Sequence, residues 1–181
     1  MRLIPLLLPA LLTCTVSKVV EAQATTIILA RHAEKAAPTG DPGLTTIGEQ
    51  RAKDLASTLA GVHLAAIITT QYRRTQLTAA PVALVANVEP LVIPATGNVA
   101  TAATAVAQAL DALPAGSTAL VVGHSNTLGP IIAALGGPKM ADLCDAEYST
   151  LLILVRPGAD RSVSLVRSRY GAAEPAAASE C

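Results

Sequence analysis

Aromatic side chains are almost missing from this chain: 181 residues hold three tyrosines, no phenylalanine and no tryptophan. Recognition of nucleic acid or of a flat cofactor by ring stacking therefore has little material to work with. Charge is sparse and balanced, with 13 basic and 13 acidic side chains. No bulk field draws the protein to nucleic acid or to an anionic membrane, so an anion site has to be built locally. Cys-x-x-Cys and His-x-His spacings are absent, and no metal or other cofactor is expected. Neither a Gly-x-x-x-x-Gly-Lys loop nor a Gly-x-Ser-x-Gly elbow occurs.

The first 24 residues read as a leader rather than as part of a fold. Arg2 supplies a positive start, Leu3 to Val16 an apolar run, and Ala22-Gln23-Ala24 a small-residue pattern for cleavage before Thr25. The run is shorter than the roughly 20 residues of a membrane span. Export to the periplasm or beyond is the expectation; lipidation at Cys14, after Leu11-Leu12-Thr13, and a retained anchor are its alternatives. Without residues 1–24 the chain keeps 11 basic and 12 acidic side chains and two cysteines, Cys144 and Cys181. In an oxidising compartment that pair is expected to form a disulfide pinning the tail, 171–181, with two unpaired thiols as the alternative.

The rest, 25–170, is long enough for one domain with a sizeable core. Strands are expected at Thr25–Ala30, Leu64–Thr69, Leu91–Ile93, Ala119–Val122, Thr150–Val155 and Ser162–Val166. Helices are expected from Thr46, with Glu49 completing a capping box, to about Ala60; over Arg74–Ala86, kinked or broken by Pro81; after the N-cap Asn98; and over Thr127–Leu135. This alternation predicts a three-layer α/β/α sandwich around a mostly parallel sheet, its last two strands forming an antiparallel hairpin.

Three strand-to-helix junctions carry reactive side chains: Arg31-His32, Arg73-Arg74 beyond Thr69-Thr70, and Gly123-His124-Ser125-Asn126-Thr127. Ligands of open α/β sheets bind beyond the carboxyl ends of the strands. Neighbouring strands would gather two imidazoles and at least one guanidinium from each arginine-bearing junction around one crevice, a pocket suited to a phosphate dianion. A neutral imidazole is a nucleophile toward phosphorus, nearby arginines keep it unprotonated, and the same arginines offset charge in the transition state.

These residues resemble the histidine phosphatase (phosphoglycerate mutase-like) superfamily. Arg31-His32-Ala33-Glu34 is similar to its opening signature, Leu44-Thr45-x-x-Gly48 with Gln50-x-Ala52 to its next helix, Thr70 to Ala79 to its central arginine segment, and Val121-Val122-Gly123-His124 to its second histidine motif. The resemblance implies a phosphoglycerate mutase-like fold, His32 as nucleophile, and Arg31, Arg74 and His124 completing the phosphate pocket; Ser125, beside His124 in the chain, is a further candidate substrate contact. It implies an enzyme, a metal-independent phosphatase of phosphomonoesters or phosphoramidates on a small molecule, protein or envelope component.

The sequence departs from that family in its proton donor. Leu91 to Gly97 holds no carboxylate, and Ser125 follows the second histidine where another branch has Asp. Glu34, Glu89 and Glu147 are the candidate acids. Only 50 positions separate Arg74 from His124, too few for a capping insertion, which argues against a phosphomutase and for an open site. A non-catalytic phosphate-binding envelope protein is the alternative from another class. His63, at the far end of its strand, is read as a bystander, Lys35 as loop surface, Arg73 as a solvated charge or a rim contact to substrate, and Arg156, Arg161, Arg167 and Arg169 as a solvated hairpin face.

Overall fold

The run Thr25-Thr26-Ile27-Ile28-Leu29-Ala30-Arg31 is apolar and β-branched on both faces, and it lies mid-sheet as β1 (Thr25–Arg31), with parallel β4 (Thr118–Gly123) on one side and antiparallel β5 (Thr150–Arg156) on the other. In this computed structural model, residues 23–95, 97–158 and 162–174 are described. Residues 1–22 of the predicted leader, Thr96, Arg161 and Cys181 lie outside them. The six strands, with β2 at Ala66–Thr69, β3 at Leu91–Val92 and β6 at Ser164–Arg169, follow the order β3-β2-β4-β1-β5-β6. The first four are mutually parallel, and the last three form antiparallel pairs through β5.

Alternate side chains of the central strands feed two cores. Ile27, Leu29, Ile68, Ala119 and Val121 pack under α3 (Val99–Asp111) and α4 (Leu128–Ala134). Ile28, Ala30, Ile67, Leu120 and Val122 pack under α1 (Thr46–Thr58) and α2 (Arg73–Ala86). That is the expected three-layer sandwich, and its fully apolar central strands are what burial on both faces requires. No helix among the described residues is long and apolar enough to cross a membrane.

Three local expectations are corrected. The N-cap of α1 is Thr45, not Thr46: its hydroxyl accepts from Gly48 N–H at 3.0 Å, and with glycine three residues on there is no capping box. Gly48 is required for another reason, since an added Cβ would collide with the Glu34 backbone, where α1 starts against the turn after β1. Pro81 does not break α2, which runs unbroken to Asn87, a left-handed C-cap with φ 53°. The last strand lies further along than predicted, at Ser164–Arg169, because the hairpin register pairs Thr150 with Arg169. Its arginines are also paired: Arg167 with Glu147 and Arg169 with Glu174, while Arg156 on β5 meets Asp111.

Candidate active site

The carboxyl ends of β1, β2 and β4 deliver Arg31-His32, Thr69-Thr70 and Gly123-His124 to one end of the sheet. His32 N–H donates to the Gly123 carbonyl at 2.9 Å, which continues the β1–β4 ladder one residue past the strand and fixes the two histidines side by side. Their rings are 5.3 Å apart, and both residues are buried. His32 Nδ1 lies 2.8 Å from the Ala33 carbonyl oxygen. A carbonyl only accepts, so Nδ1 carries the proton and the lone pair of the neutral ring is on Nε2. Burial, with smaller contributions from Arg31, Arg74 and Lys35, pushes the His32 pKa down from 6.5 to about 4. Burial followed by His32, Arg74 and Arg31 pushes His124 down to about 3. Both rings are therefore neutral near pH 7.

His124 is held from behind by hydroxyls. Its Nε2 lies 3.1 Å from Thr70 Oγ1, which lies 2.9 Å from Thr75 Oγ1. The Thr75 hydroxyl also reaches the Tyr72 carbonyl at 2.8 Å. On the other flank, His124 N–H donates to Thr127 Oγ1 at 2.9 Å.

The two arginines are positioned differently. Arg31, 4 % exposed, donates through Nη1 to the carbonyls of Cys144, Asp145 and Glu147 at 2.7, 2.8 and 3.3 Å. The loop after α4 thus grips one end of that guanidinium, and Cys144 within it is disulfide-bonded. Its expected partner Cys181 lies outside the described residues. Arg74, from the first turn of α2, lies against the Tyr72 ring at 4.2 Å. Arg31 stacks on Tyr148 at the same distance. The Nε atoms of Arg31 and Arg74 are buried with no hydrogen-bond partner among the described residues. A buried N–H left that way is costly, and an oxyanion is the kind of acceptor that would satisfy it.

The carboxylates lie elsewhere. Both Glu34 oxygens accept from Arg51 Nε, at 2.9 and 3.0 Å, and Arg51 Nη2 closes the pair at 2.7 Å. Arg51, itself buried, also donates to the Tyr170 and Ala172 carbonyls. Glu89 precedes β3, at the amino end of the parallel strands, and is exposed on the side of the sheet edge away from His32. Glu147 accepts from Thr150, from Arg167 and, at 3.4 Å, from Cys144 N–H. Burial alone would raise its pKa; those bonds outweigh it and hold the carboxyl below the usual range. None of the three sequence candidates is thus placed as a free acid beside the imidazoles. Ser125 is half-buried, and its carbonyl accepts from Leu143 N–H at 3.2 Å. Exposed Arg73 and His63 stand apart from the pocket, His63 ahead of β2 at the opposite end of the sheet.

Sequence reasoning missed two kinds of neighbour. Asp41 Oδ1 caps α2 by accepting from Arg73 N–H at 2.9 Å and lies 3.8 Å from Arg74, and Asp145 lies 4.0 Å from Arg31. Each arginine thus has one partly or fully exposed carboxylate at its outer side. Tyr72 and Tyr148, two of only three aromatic residues, stand beside His124 and His32, with ring centroids 5.4 and 6.2 Å away. Their concentration next to Arg73-Arg74 and Glu147 was the available signal. From Arg74 and His124 a cleft of about 270 Å³ runs to the first turn of α3.

Residues 27–96 match the histidine phosphatase superfamily, branch 1. No curated protein matches the chain. Solved structures share its fold at low identity. The protein histidine phosphatase SixA, complexed with tungstate, is 18% identical over 80% of this chain and 96% of that chain, with a TM-score of 0.60. A mycobacterial glucosyl-3-phosphoglycerate phosphatase is 14% identical over 80% and 97%, with a TM-score of 0.59. A protein named mycobacterial hydrolase 2 is 16% identical over 84% and 93%, with a TM-score of 0.60.

Proposed function

We infer that this chain, which belongs to the histidine phosphatase superfamily, is a phosphatase that carries the phosphoryl group on Nε2 of His32. The observation that carries the reading is the Nδ1 contact to the Ala33 carbonyl, which leaves Nε2 as a fixed lone pair in a ring kept neutral by burial. In the first step Nε2 attacks phosphorus, the Nε2–P bond forms and the bond to the leaving oxygen or nitrogen breaks, with the leaving atom taking a proton from solvent. In the second step water attacks phosphorus, loses a proton, and the P–N bond breaks to free inorganic phosphate and restore the lone pair. Arg31 and Arg74 contact the equatorial oxygens and offset their charge in both transition states. The Thr75 hydroxyl donates to the Tyr72 carbonyl, so Thr70 donates to Thr75 and accepts from His124 Nε2–H, and this chain fixes the His124 ring beside that oxyanion.

Tungstate, bound by SixA, is a tetrahedral oxyanion of the kind such a pocket takes. The reaction as written routes no step through a metal. Export is part of the proposal: Cys144 is disulfide-bonded, as suits an oxidising compartment, and residues 1–24 have the make-up of a cleaved leader.

The test uses purified protein and its His32→Ala variant with an activated aryl phosphate, followed by quenching to trap acid-labile, base-stable phosphate on the protein. Turnover and a trapped phosphohistidine in the wild type, both absent from the variant, are expected. Phosphate binding without turnover above the variant would instead make the chain a phosphate-binding module, and transfer of the group between positions of one substrate would make it a mutase. Intact-mass analysis of protein recovered from the producing cell's envelope fraction should give a chain starting at Thr25; a retained amino terminus would overturn export with cleavage.

A further inference from the structure

The cleft of about 270 Å³ beside the imidazole pair is lined by His124 and Arg74 but not by His32 or Arg31. In-line displacement places the leaving group on the side of phosphorus opposite the attacking Nε2. This cleft begins at two phosphate ligands and is not lined by the nucleophile, which makes it the space next to the phosphate site open to a leaving group. Its walls are Tyr72, the first turn of α3 with Asn98, Val99 and Ala102, and the turn after β4 with Asn126 and Thr127. Arg74 supplies the only formal charge, and the transferred phosphate uses it.

The lining selects a chemistry. Asn98 and Asn126 are carboxamides, each with donors and an acceptor, which match hydroxyl groups that both donate and accept. The Asn98 oxygen caps Ala100 N–H at 2.8 Å, which orients the side chain and leaves its NH2 group for a ligand. Asn126 is exposed and makes no hydrogen bond among the described residues. Val99 and Ala102 add small apolar surface of the kind that meets C–H groups. A second phosphate or a carboxylate would find no cation of its own here, and a nucleobase would find Tyr72 already faced by Arg74 at 4.2 Å.

We propose that this cleft binds an uncharged, hydroxyl-bearing leaving group, so that the preferred substrates are phosphorylated sugars or polyols rather than phosphoproteins or nucleotides. The proposal rests on the phosphatase reading and specifies its substrate class. The experiment compares kcat/KM for glucose 6-phosphate, a phosphoserine peptide and acetyl phosphate, whose leaving group is too small to fill the cleft. It does so in the wild type, in Asn126→Ala, which removes one carboxamide, and in Ala102→Trp, which fills the space. The wild type should prefer the sugar phosphate to the peptide by at least about tenfold, and each variant should lower the ratio of sugar phosphate to acetyl phosphate by about tenfold. An unchanged ratio in both variants, or a peptide turned over as well as the sugar, overturns the proposal. Inert wild type toward acetyl phosphate overturns the phosphatase reading instead. Calorimetric titration then judges the cleft without turnover: glucose 6-phosphate should bind the wild type more tightly than the peptide does and lose that advantage in Asn126→Ala, and equal affinities overturn the proposal.

Discussion

The imidazoles of His32 and His124 face each other at 5.3 Å with an interplanar angle of 63°, in a pocket where neither is ionised at neutral pH. Two cations this close, beside two arginines, would repel, and burial penalises each of them further.

That pairing has a consequence for stability. The folded-state values of about 4 and about 3 lie below the 6.5 of an unperturbed histidine. Between roughly pH 6.5 and 4 the unfolded chain therefore binds more protons than the native one, so stability falls as pH falls through that window. The loss is on the order of 3 kcal/mol for His32 by linkage. Urea unfolding between pH 7.5 and 4 should show this slope, and His124→Gln should reduce it. For activity the same shift places the acid limb of kcat/KM near pH 4, after allowance for the substrate's own ionisation. A limb at pH 6.5 belonging to the enzyme would mean that His32 is exposed.

Thr70 tests the hydroxyl chain behind His124. Thr70→Val removes the partner of Nε2 at nearly constant volume and leaves a buried ring nitrogen unpaired, at a cost of about 1–3 kcal/mol. The ring also loses what fixes its tautomer. We expect kcat to fall about tenfold with a smaller change in KM, and Thr70→Ser to recover most of the loss. Steady-state kinetics of the two variants, with thermal unfolding alongside, separate this from general damage.

Glu34 is two residues from His32, yet its partner is Arg51. In Glu34→Gln the guanidinium of Arg51 stays buried without a countercharge, which should cost about 2–4 kcal/mol in denaturant unfolding. Turnover of an activated aryl phosphate should stay within about threefold and keep its alkaline pH limb. Loss of that limb without loss of stability would return Glu34 to the role of acid.

How much could be read along the chain follows from the range of each interaction. Apolar runs ending at Arg31, Thr69 and Gly123 are local patterns, and with the alternation of elements they imply the sandwich and the gathering of Arg31, His32, Arg74 and His124 at one end of the sheet. Side-chain partnerships have no such local trace. Arg51 lies 17 positions from Glu34, and Arg31 lies 113 from the Cys144 carbonyl that holds it. The sequence therefore left Glu34 and Glu147 open as acids, while their commitments to Arg51 and Arg167 required the fold. The one-residue shift of the first helix cap has a smaller cause. Thr45 and Thr46 are both competent caps, and the close approach of Gly48 to Glu34 decides between them.

Reduction should act on the phosphate pocket through Arg31. The loop that grips its guanidinium contains disulfide-bonded Cys144, so thiol treatment or Cys144→Ser frees the loop at its anchor. A loss of about 2–4 kcal/mol in stability is expected. KM for any phosphoester should rise several-fold, about as far as one loosened charge-assisted contact allows. The measurement is KM and melting temperature with and without dithiothreitol. A KM indifferent to reduction would show that the hydrogen bonds of this segment hold it without the disulfide, among them those of Glu174 to the Tyr148 and Ser149 amides and the Ser149 hydroxyl and that of Glu147 to Cys144 N–H.

The placement of the tyrosines gives the protein a reporter of its own. With no tryptophan, its near-ultraviolet emission comes from three phenols, and two of them touch the guanidinium groups of the pocket. An anion drawn between Arg31 and Arg74 changes the field at both rings, while the third, Tyr170, stays buried against the core beneath α1 and α2. Occupancy can then be followed optically, in unlabelled protein, after rapid mixing. A tryptophan placed at position 102 would add a second colour on the leaving-group side.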